Sequence, residues 1–180
     1  MANVELLLKH AAPGVRVEAI AVPWAGDAGL YLFDQFGGHP PFELELPPAL
    51  RAGALPPLLL GIRAEDTVFL GQQWLPGDVA TWEPLPEVLV DAASVCATSR
   101  TTATSISGDD LVEAEDALFA ADYWVQTSLD GVPILAIKIT VGDGAFPLYL
   151  AKSATGESVG WMLELGLIND YSPTAGLPAP

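Results

Sequence analysis

A chain of 180 residues is long enough to bury a hydrophobic core without disulfides or bound metals, and one compact domain is expected. Hydrophobic residues make up 51% of the chain and charged residues 17%, which excludes an intrinsically disordered protein. Aspartate and glutamate number 23 against 7 lysines and arginines, so the formal net charge is -16. This charge repels nucleic acids and anionic membranes and attracts basic partners, although solubility alone also explains an acidic surface.

The cysteine content and the length of the apolar segments indicate the cellular compartment in which the protein is expected to reside. Cys96 is the single cysteine, which excludes an internal disulfide and suits a reducing environment. Residues 1–14 contain neither a basic leader nor a small-residue cleavage pattern. The longest apolar stretch, residues 54–62, is interrupted by two prolines and is too short to span a bilayer. We therefore expect a cytoplasmic protein without membrane contact.

The N-terminal half is rich in proline and contains several short apolar runs. Residues 15–22 and 30–36 are predicted to form two strands joined as a hairpin by a loop of turn-forming residues. Residues 42–46 alternate strictly, which predicts a half-buried strand with both glutamates on the outer face. Residues 58–63 and 67–70 predict a further strand pair.

The middle of the chain carries the expected lobe boundary. Residues 75–86 contain four prolines or glycines in turn-like contexts around Trp82 and are predicted to be a loop. A soft boundary between two lobes is placed there, inside a single domain that covers residues 1–171. A short strand is predicted from Val88, and the Ser/Thr-rich residues 97–107 are interpreted as a loop rather than a strand edge.

The clearest predicted helix covers residues 109–121. Ser107 can cap its N-terminus, and an apolar stripe that includes Leu111 and Leu118 is expected to pack inward. Three acidic side chains share the opposite face: Asp109, Glu113 and Asp116. They could in principle collect a hard cation, but a solvated acidic face is the preferred interpretation because such sites need ligands from several elements. No metal or cofactor is predicted.

The C-terminal half is predicted to be a β-meander. Residues 123–129 and 132–141 flank Asp130-Gly131, a strong signal for a tight hairpin, and residues 146–151 and 158–165 continue the alternating pattern. Ile137 and Trp161 are expected to be buried on one face, with the helix packed against it. Residues 172–180 are predicted to be a flexible tail. The predicted class is α+β, mainly an antiparallel β-sheet meander packed by one clear helix, with a proline-rich, β-containing N-terminal half.

Residues with the potential for chemistry are few. Cys96 could pair with His10 or His39 as a nucleophile and base, but a cysteine in an apolar run is typical of a core residue. Asp143 lies between two glycines, where it either closes the turn or approaches a ligand, and we retain it as a candidate binding residue. Whether Asp91, Cys96 and Asp143 form a ligand site is left open by the sequence.

One resemblance to a known family follows from the C-terminal half. The run from Trp82 through Val90-Asp91-Ala92 to Cys96, followed by the hairpin sequence GDGAFPLY and the strand over residues 159–165, resembles the bacterial domain-of-unknown-function family 4241. The resemblance implies an α+β domain without established catalysis. It also implies an immunity-like role, because small acidic β-rich proteins often accompany secreted bacterial toxins.

Charge, size and the resemblance together predict a non-catalytic acidic protein-binding module. Its most concrete form is an immunity protein that neutralises a basic toxin, with Asp109, Glu113, Asp116 and Asp143 as candidate contacts. The alternatives are a structural or regulatory domain without such a partner, or a small-ligand sensor or hydrolase-like enzyme. The sequence does not indicate an oligomeric state.

Overall fold

A computed structural model describes residues 14–24, 29–34, 41–51, 53–91, 93–99, 116–129 and 132–166. The chain is built mainly from antiparallel strands. The strands are β1 (Val15–Ile20), β2 (Gly29–Asp34), β3 (Phe42–Glu45), β4 (Leu58–Arg63), β5 (Asp66–Gln73), β6 (Thr81–Val90), β7 (Ser94–Ser99), β8 (Trp124–Leu129), β9 (Val132–Lys138), β10 (Gly144–Lys152) and β11 (Ser158–Glu164). A short 3-10 turn covers Pro48–Leu50, and a helix, α1, includes the described residues 116–120.

The strands form two sheets. One has the order β1-β4-β5-β11-β10-β6 and the other has the order β3-β2-β7-β9-β8. The β-rich architecture is confirmed, but the predicted class overstates the helix. The described part of helix α1, residues 116–120, buries Leu118 while leaving Phe119 67% exposed. The predicted helix residues 109–115, with Leu111, lie outside the described residues.

The predicted hairpins of the C-terminal half form, but the continuous meander is wrong. Strands β8 and β9 pair with each other, and so do β10 and β11. Strands β9 and β10, although consecutive, lie in different sheets. The reason is that β7 already occupies the second edge of β9, where Val95 lies opposite Ile137. Adjacent pairing of consecutive strands is a tendency, and here a strand from earlier in the chain has taken the position.

Burial of the residues that were expected in the core is confirmed. Ile137 and Trp161 are both 0% exposed. They lie in different sheets and not on one face, because β9 and β11 do not share a sheet.

The N-terminal half is partly as predicted. Strand β3 is confirmed, with Leu44 buried and Glu43 and Glu45 exposed, and β4 and β5 pair as expected. The predicted hairpin of the first two strands is wrong, because β1 pairs with β4 while β2 lies between β3 and β7. An alternating strand fits any neighbour that buries its apolar face, so local sequence did not select the partner.

The predicted loop over residues 75–86 is wrong in its second half, where β6 begins. This strand tolerates Pro84 and Pro86 because it lies at the edge of its sheet, where a missing N–H need not break a ladder. The predicted loop over residues 97–107 is likewise strand up to Ser99, the end of β7. The remaining residues of that loop, and the predicted tail over residues 172–180, lie outside the described residues.

The chain divides into two compact units, each with its own hydrophobic cluster. The first comprises Met1–Ala21, Pro56–Glu87 and Pro147–Pro180, and the second comprises Val22–Leu55 and Val88–Phe146. The cluster of the first unit contains Leu59, Val68, Phe69, Trp82, Ala151, Val159 and Met162. The cluster of the second contains Phe33, Cys96, Leu118, Ile134 and Ala136. The single domain with a soft boundary near residues 75–86 stays a prediction.

One glycine is required by packing in the first unit. Gly61 of β4 lies opposite Phe69 of β5, and the aromatic ring covers the glycine Cα. A Cβ at this position would lie 2.3 Å from the ring atom Cε1 of Phe69, so any larger residue would displace the ring.

Candidate functional site

The predicted acidic contacts are only partly within the described residues. Asp116 lies in α1 and is exposed, and Asp143 is exposed in the turn between β9 and β10. Asp109 and Glu113 lie outside the described residues, so the shared helical face stays a prediction. Asp116 and Asp143 both belong to the second unit. Both are placed where a macromolecular partner could reach a carboxylate.

Asp143 joins two turns that are fifty residues apart in the chain. Its Oδ1 accepts a hydrogen bond from the backbone N–H of Ala93 at 2.9 Å. Ala93 has a φ of 48°, in the left-handed region that is unfavourable for residues with a Cβ. Its carbonyl accepts a hydrogen bond from the N–H of Ile139 at 2.7 Å. The Asp143 carboxylate therefore holds a strained turn in place and still exposes its charge.

Cys96 does not share an accessible site with Asp91 and Asp143. Asp91 is exposed at the end of β6, whereas Cys96 is 0% exposed and packs among apolar side chains such as Phe33 and Leu118. Burial, and then the charge of Asp34, raises the pKa of the Cys96 thiol to about 12. A thiol in this state is a poor nucleophile, because the thiolate is the reactive form. The expectation that Cys96 is a core residue is confirmed.

Asp34 is a buried carboxylate at the end of β2. It is 1% exposed, and within the described parts of the chain neither carboxylate oxygen has a hydrogen-bond partner. It lies opposite Val95 of β7, which offers no polar side chain. Burying a polar group without a hydrogen bond costs stability.

The first unit contains a cluster that the sequence did not reveal. Tyr149 of β10 lies opposite Met162 of β11, and Glu164 follows two residues later on the same face. Desolvation raises the pKa of Glu164 to about 6. Desolvation, and then the charges of Glu164 and Glu87, raises the pKa of Tyr149. Strands β11, β10 and β6 are consecutive in the sheet, which brings these three side chains together.

This cluster is able to exchange a proton close to neutral pH. A carboxyl with a pKa of about 6 is present in both protonation states within the physiological range, unlike an ordinary glutamate. Glu164 could have been assigned to a face from its spacing to Met162. The side chains near it, Tyr149 and Glu87, could not have been identified from the sequence, because their positions depend on the β10–β11 register and on the place of β6 in the sheet.

The described residues offer neither a cluster of metal ligands nor a membrane-spanning helix. Within the ranges given above, no group of three or more His, Cys, Asp or Glu side chains is arranged to hold a metal ion. No helix in that part of the chain is long and apolar enough to cross a bilayer.

Comparison with known proteins found no protein-family model, no curated protein and no solved structure that matches this chain. The resemblance to family 4241 stays a prediction that rests on the sequence motifs alone.

Proposed function

We propose that this protein is a non-catalytic acidic binding module for a basic protein, most concretely an immunity protein that neutralises a cationic bacterial toxin. The observation that carries the proposal is the charge of -16, with 23 acidic against 7 basic residues. A field of this size attracts a cationic protein over a long range and accelerates its association.

The distribution of the basic residues supports the proposal. Among the described residues, basic side chains contact carboxylates of their own unit: Arg16 contacts Glu18, Arg51 contacts Glu45, and Lys152 contacts Glu83 at 3.5 Å. These contacts partly neutralise the few positive charges. The surplus of carboxylates, including Asp116 and Asp143, remains for a partner.

The chemistry of the cysteine also favours binding over catalysis. Cys96 is buried and its pKa is raised to about 12, which argues against a thiol nucleophile. A cytoplasmic location, an acidic surface and a basic partner are consistent with one another, because an immunity protein acts in the cell that makes the toxin.

The test is capture of a basic partner by wild-type protein and by a variant in which two candidate contacts are neutralised. Asp143→Asn keeps the oxygen that accepts from Ala93, so the pair Asp116→Asn and Asp143→Asn removes charge without removing that bond. A control with the same net charge carries Glu65→Gln and Asp66→Asn, two exposed positions in the other unit, where Glu65 lies in the turn after β4 and Asp66 is the first residue of β5. Adding Asp109→Asn and Glu113→Gln extends the test to the predicted helical face.

We expect the first variant to associate about tenfold more slowly than wild type and the control to change much less. Association should slow as salt rises, while dissociation changes little, because screening removes the long-range field and leaves short-range packing intact. If pull-downs from the native host recover no basic protein, and both variants protect against the toxin as wild type does, the proposal must be abandoned.

A further inference from the structure

Three large hydrophobic side chains are exposed among the described residues. Phe119 is 67% exposed, Leu89 44% and Val141 41%. Apolar residues that are exposed singly are common on protein surfaces and need no explanation. Leu89 and Val141 both belong to the second unit, and the hydrogen bonds of this unit bring their two segments together.

Two hydrogen bonds to Ala93 hold the segment of Val141 in place. The carbonyl of Ala93 accepts from the N–H of Ile139 at 2.7 Å, and its own N–H donates to Oδ1 of Asp143 at 2.9 Å. Val141 lies midway between these two residues, in a turn that a hydrogen bond from the N–H of Gly142 to the carbonyl of Ile139 closes at 3.3 Å. Val141 is therefore kept close to Ala93.

Leu89 reaches the same region from β6, four residues before Ala93. Val88 and Val90 on either side of it are buried, so the alternation of a strand directs the side chain of Leu89 to the opposite, exposed face. Asp91, two residues further on, is also exposed.

The sheet order also brings the end of β6 to the start of β10. The two strands are neighbours, and the N–H of Ala80, just before β6, donates to the carbonyl of Lys152, the last residue of β10, at 2.7 Å. The first residues of β6 therefore lie beside the last residues of β10, so the strands are antiparallel. The end of β6, with Leu89, consequently lies beside the start of β10, which directly follows Asp143.

The exposed residues of these segments form one surface, which we call the turn surface: Leu89, Asp91, Val141 and Asp143. Its two carboxylates have few basic neighbours, because neither residues 88–97 nor residues 139–151 contain a lysine or an arginine. Lys138, the nearest basic residue along the chain, is half-buried. Two apolar side chains accompanied by carboxylates complement a protein that presents an apolar side chain between basic ones.

We propose that the turn surface binds the basic partner, with Leu89 and Val141 as the apolar contacts and the two carboxylates as a charged rim. The assignment rests on the proposed function and adds to it the place and the chemistry of the contact. Charge complementarity selects the occupant: a second copy of this chain or a polyanion would oppose the carboxylates with like charges, whereas a cationic protein pairs with them. The bonds to Ala93 fix the turn before binding, so little conformational entropy is lost there on association.

The probe is a synthetic peptide with the core Lys-Leu-Lys-Leu-Lys, compared with a peptide of equal charge in which both leucines are replaced by serine. Each peptide is titrated into the isotope-labelled full chain and followed by NMR at about 0.05 M NaCl. We expect the leucine peptide to bind with a Kd of about 0.5 mM and the serine peptide to bind at least about fivefold more weakly. The amide signals that shift should be those of residues 89–91 and 139–145.

The double variant Leu89→Thr with Val141→Thr leaves the charge unchanged and should raise the Kd of the leucine peptide at least about fivefold. It should bind the serine peptide as wild type does, because the apolar contact is already missing from that complex. Phe119→Gln is the matched control: it removes a more exposed apolar side chain from the same unit, and its Kd should stay within about twofold of wild type.

Asp143→Asn separates the charged rim from the apolar contacts. It keeps the oxygen that accepts from Ala93, and it should raise the Kd of both peptides about threefold at about 0.05 M NaCl. That effect should fade at about 0.5 M NaCl, whereas the effect of the double variant on the leucine peptide should persist, because salt screens charges and not apolar contacts.

Circular dichroism checks that each variant folds, and if the double variant does not fold, Val141→Thr and the map of shifted signals decide the result. Equal binding of the two peptides by wild type would overturn the turn surface but not the proposed function. So would signals that shift on α1 together with a loss of binding in Phe119→Gln. If neither peptide binds at about 5 mM, the proposed function fails as well, since the charge of -16 then attracts no basic ligand.

Discussion

Trp161 of β11 lies directly opposite Gln72 of β5, and its indole Nε1 lies 3.4 Å from Gln72 Oε1. The same oxygen accepts a shorter hydrogen bond, 2.8 Å, from the indole of Trp74. The amide nitrogen of Gln72 donates to the carbonyl of Pro56. Gln72 and Trp161 are both 0% exposed. One buried amide therefore satisfies two indoles and ties the segment before β4 to the sheet.

Gln72→Leu should destabilise the protein by about 2–4 kcal/mol, because it leaves two buried indole N–H groups and the partly buried carbonyl of Pro56 without partners. The measurement is urea unfolding followed by tryptophan fluorescence. Thr81→Val, an exposed substitution in β6 that also replaces a polar side chain with an apolar one, is the control and should change the free energy of unfolding by less than about 0.5 kcal/mol. A Gln72→Leu protein as stable as the control would show that this network contributes little.

Asp143→Ala should lower the free energy of unfolding by about 1 kcal/mol, because it removes the acceptor for the Ala93 N–H. Asp143→Asn keeps an oxygen in the same position and should lie within about 0.5 kcal/mol of wild type. Comparing the two variants by denaturant unfolding separates the contribution of the hydrogen bond to stability from the contribution of the charge. Equal losses in both variants would mean that the charge, and not the bond, stabilises the turn.

Glu164 should make the protein more stable at mildly acidic pH. Its pKa in the folded state, about 6, lies above the ordinary 4.5, so the folded protein binds this proton more tightly than the unfolded chain does. The contribution is complete below pH 4.5 and is lost as the pH rises through 6. Because Glu164 is only half-buried, this contribution to the free energy of unfolding is about 1 kcal/mol at most.

The check is the free energy of unfolding of wild type and Glu164→Gln at acidic and at slightly alkaline pH. Glutamine cannot ionise, so acidification should raise the free energy of unfolding of the variant by about 1 kcal/mol less than that of wild type. The exposed substitution Glu157→Gln controls for the general loss of negative charge and should keep the wild-type response. Identical pH profiles for Glu164→Gln and wild type would contradict the assignment.

Cys96 should react only slowly with thiol reagents in the native state. Its thiol is buried and its pKa is about 12, so both access and thiolate formation require opening of the second unit. The alkylation rate should therefore rise with denaturant in parallel with unfolding, and Cys96→Ala should leave binding of a partner intact. Rapid alkylation at low denaturant, coupled to loss of binding, would contradict this expectation.

Several elements were predictable because they depend on local pattern alone. The strict alternation of residues 42–46 predicted β3 and its exposed glutamates, and the Asp130-Gly131 turn predicted the β8–β9 hairpin. The hydrophobic character of Ile137 and Trp161 predicted their burial. The end of β6, from Val88, was predicted as a strand, but its first part was missed because the prolines there suit a loop equally well, and only the place of β6 at a sheet edge makes them acceptable.

The sequence by itself determined the net charge, the dominance of strands and the side chains that avoid water, because these follow from composition and from a period of two residues. Only the tertiary structure decided which strands became neighbours. It separated β9 from β10, brought Tyr149 beside Glu164, and turned Asp143 toward Ala93. The backbone ladder is chemically the same for every pair of strands, so the choice of partner depends on packing summed over the whole sheet, which no local segment encodes.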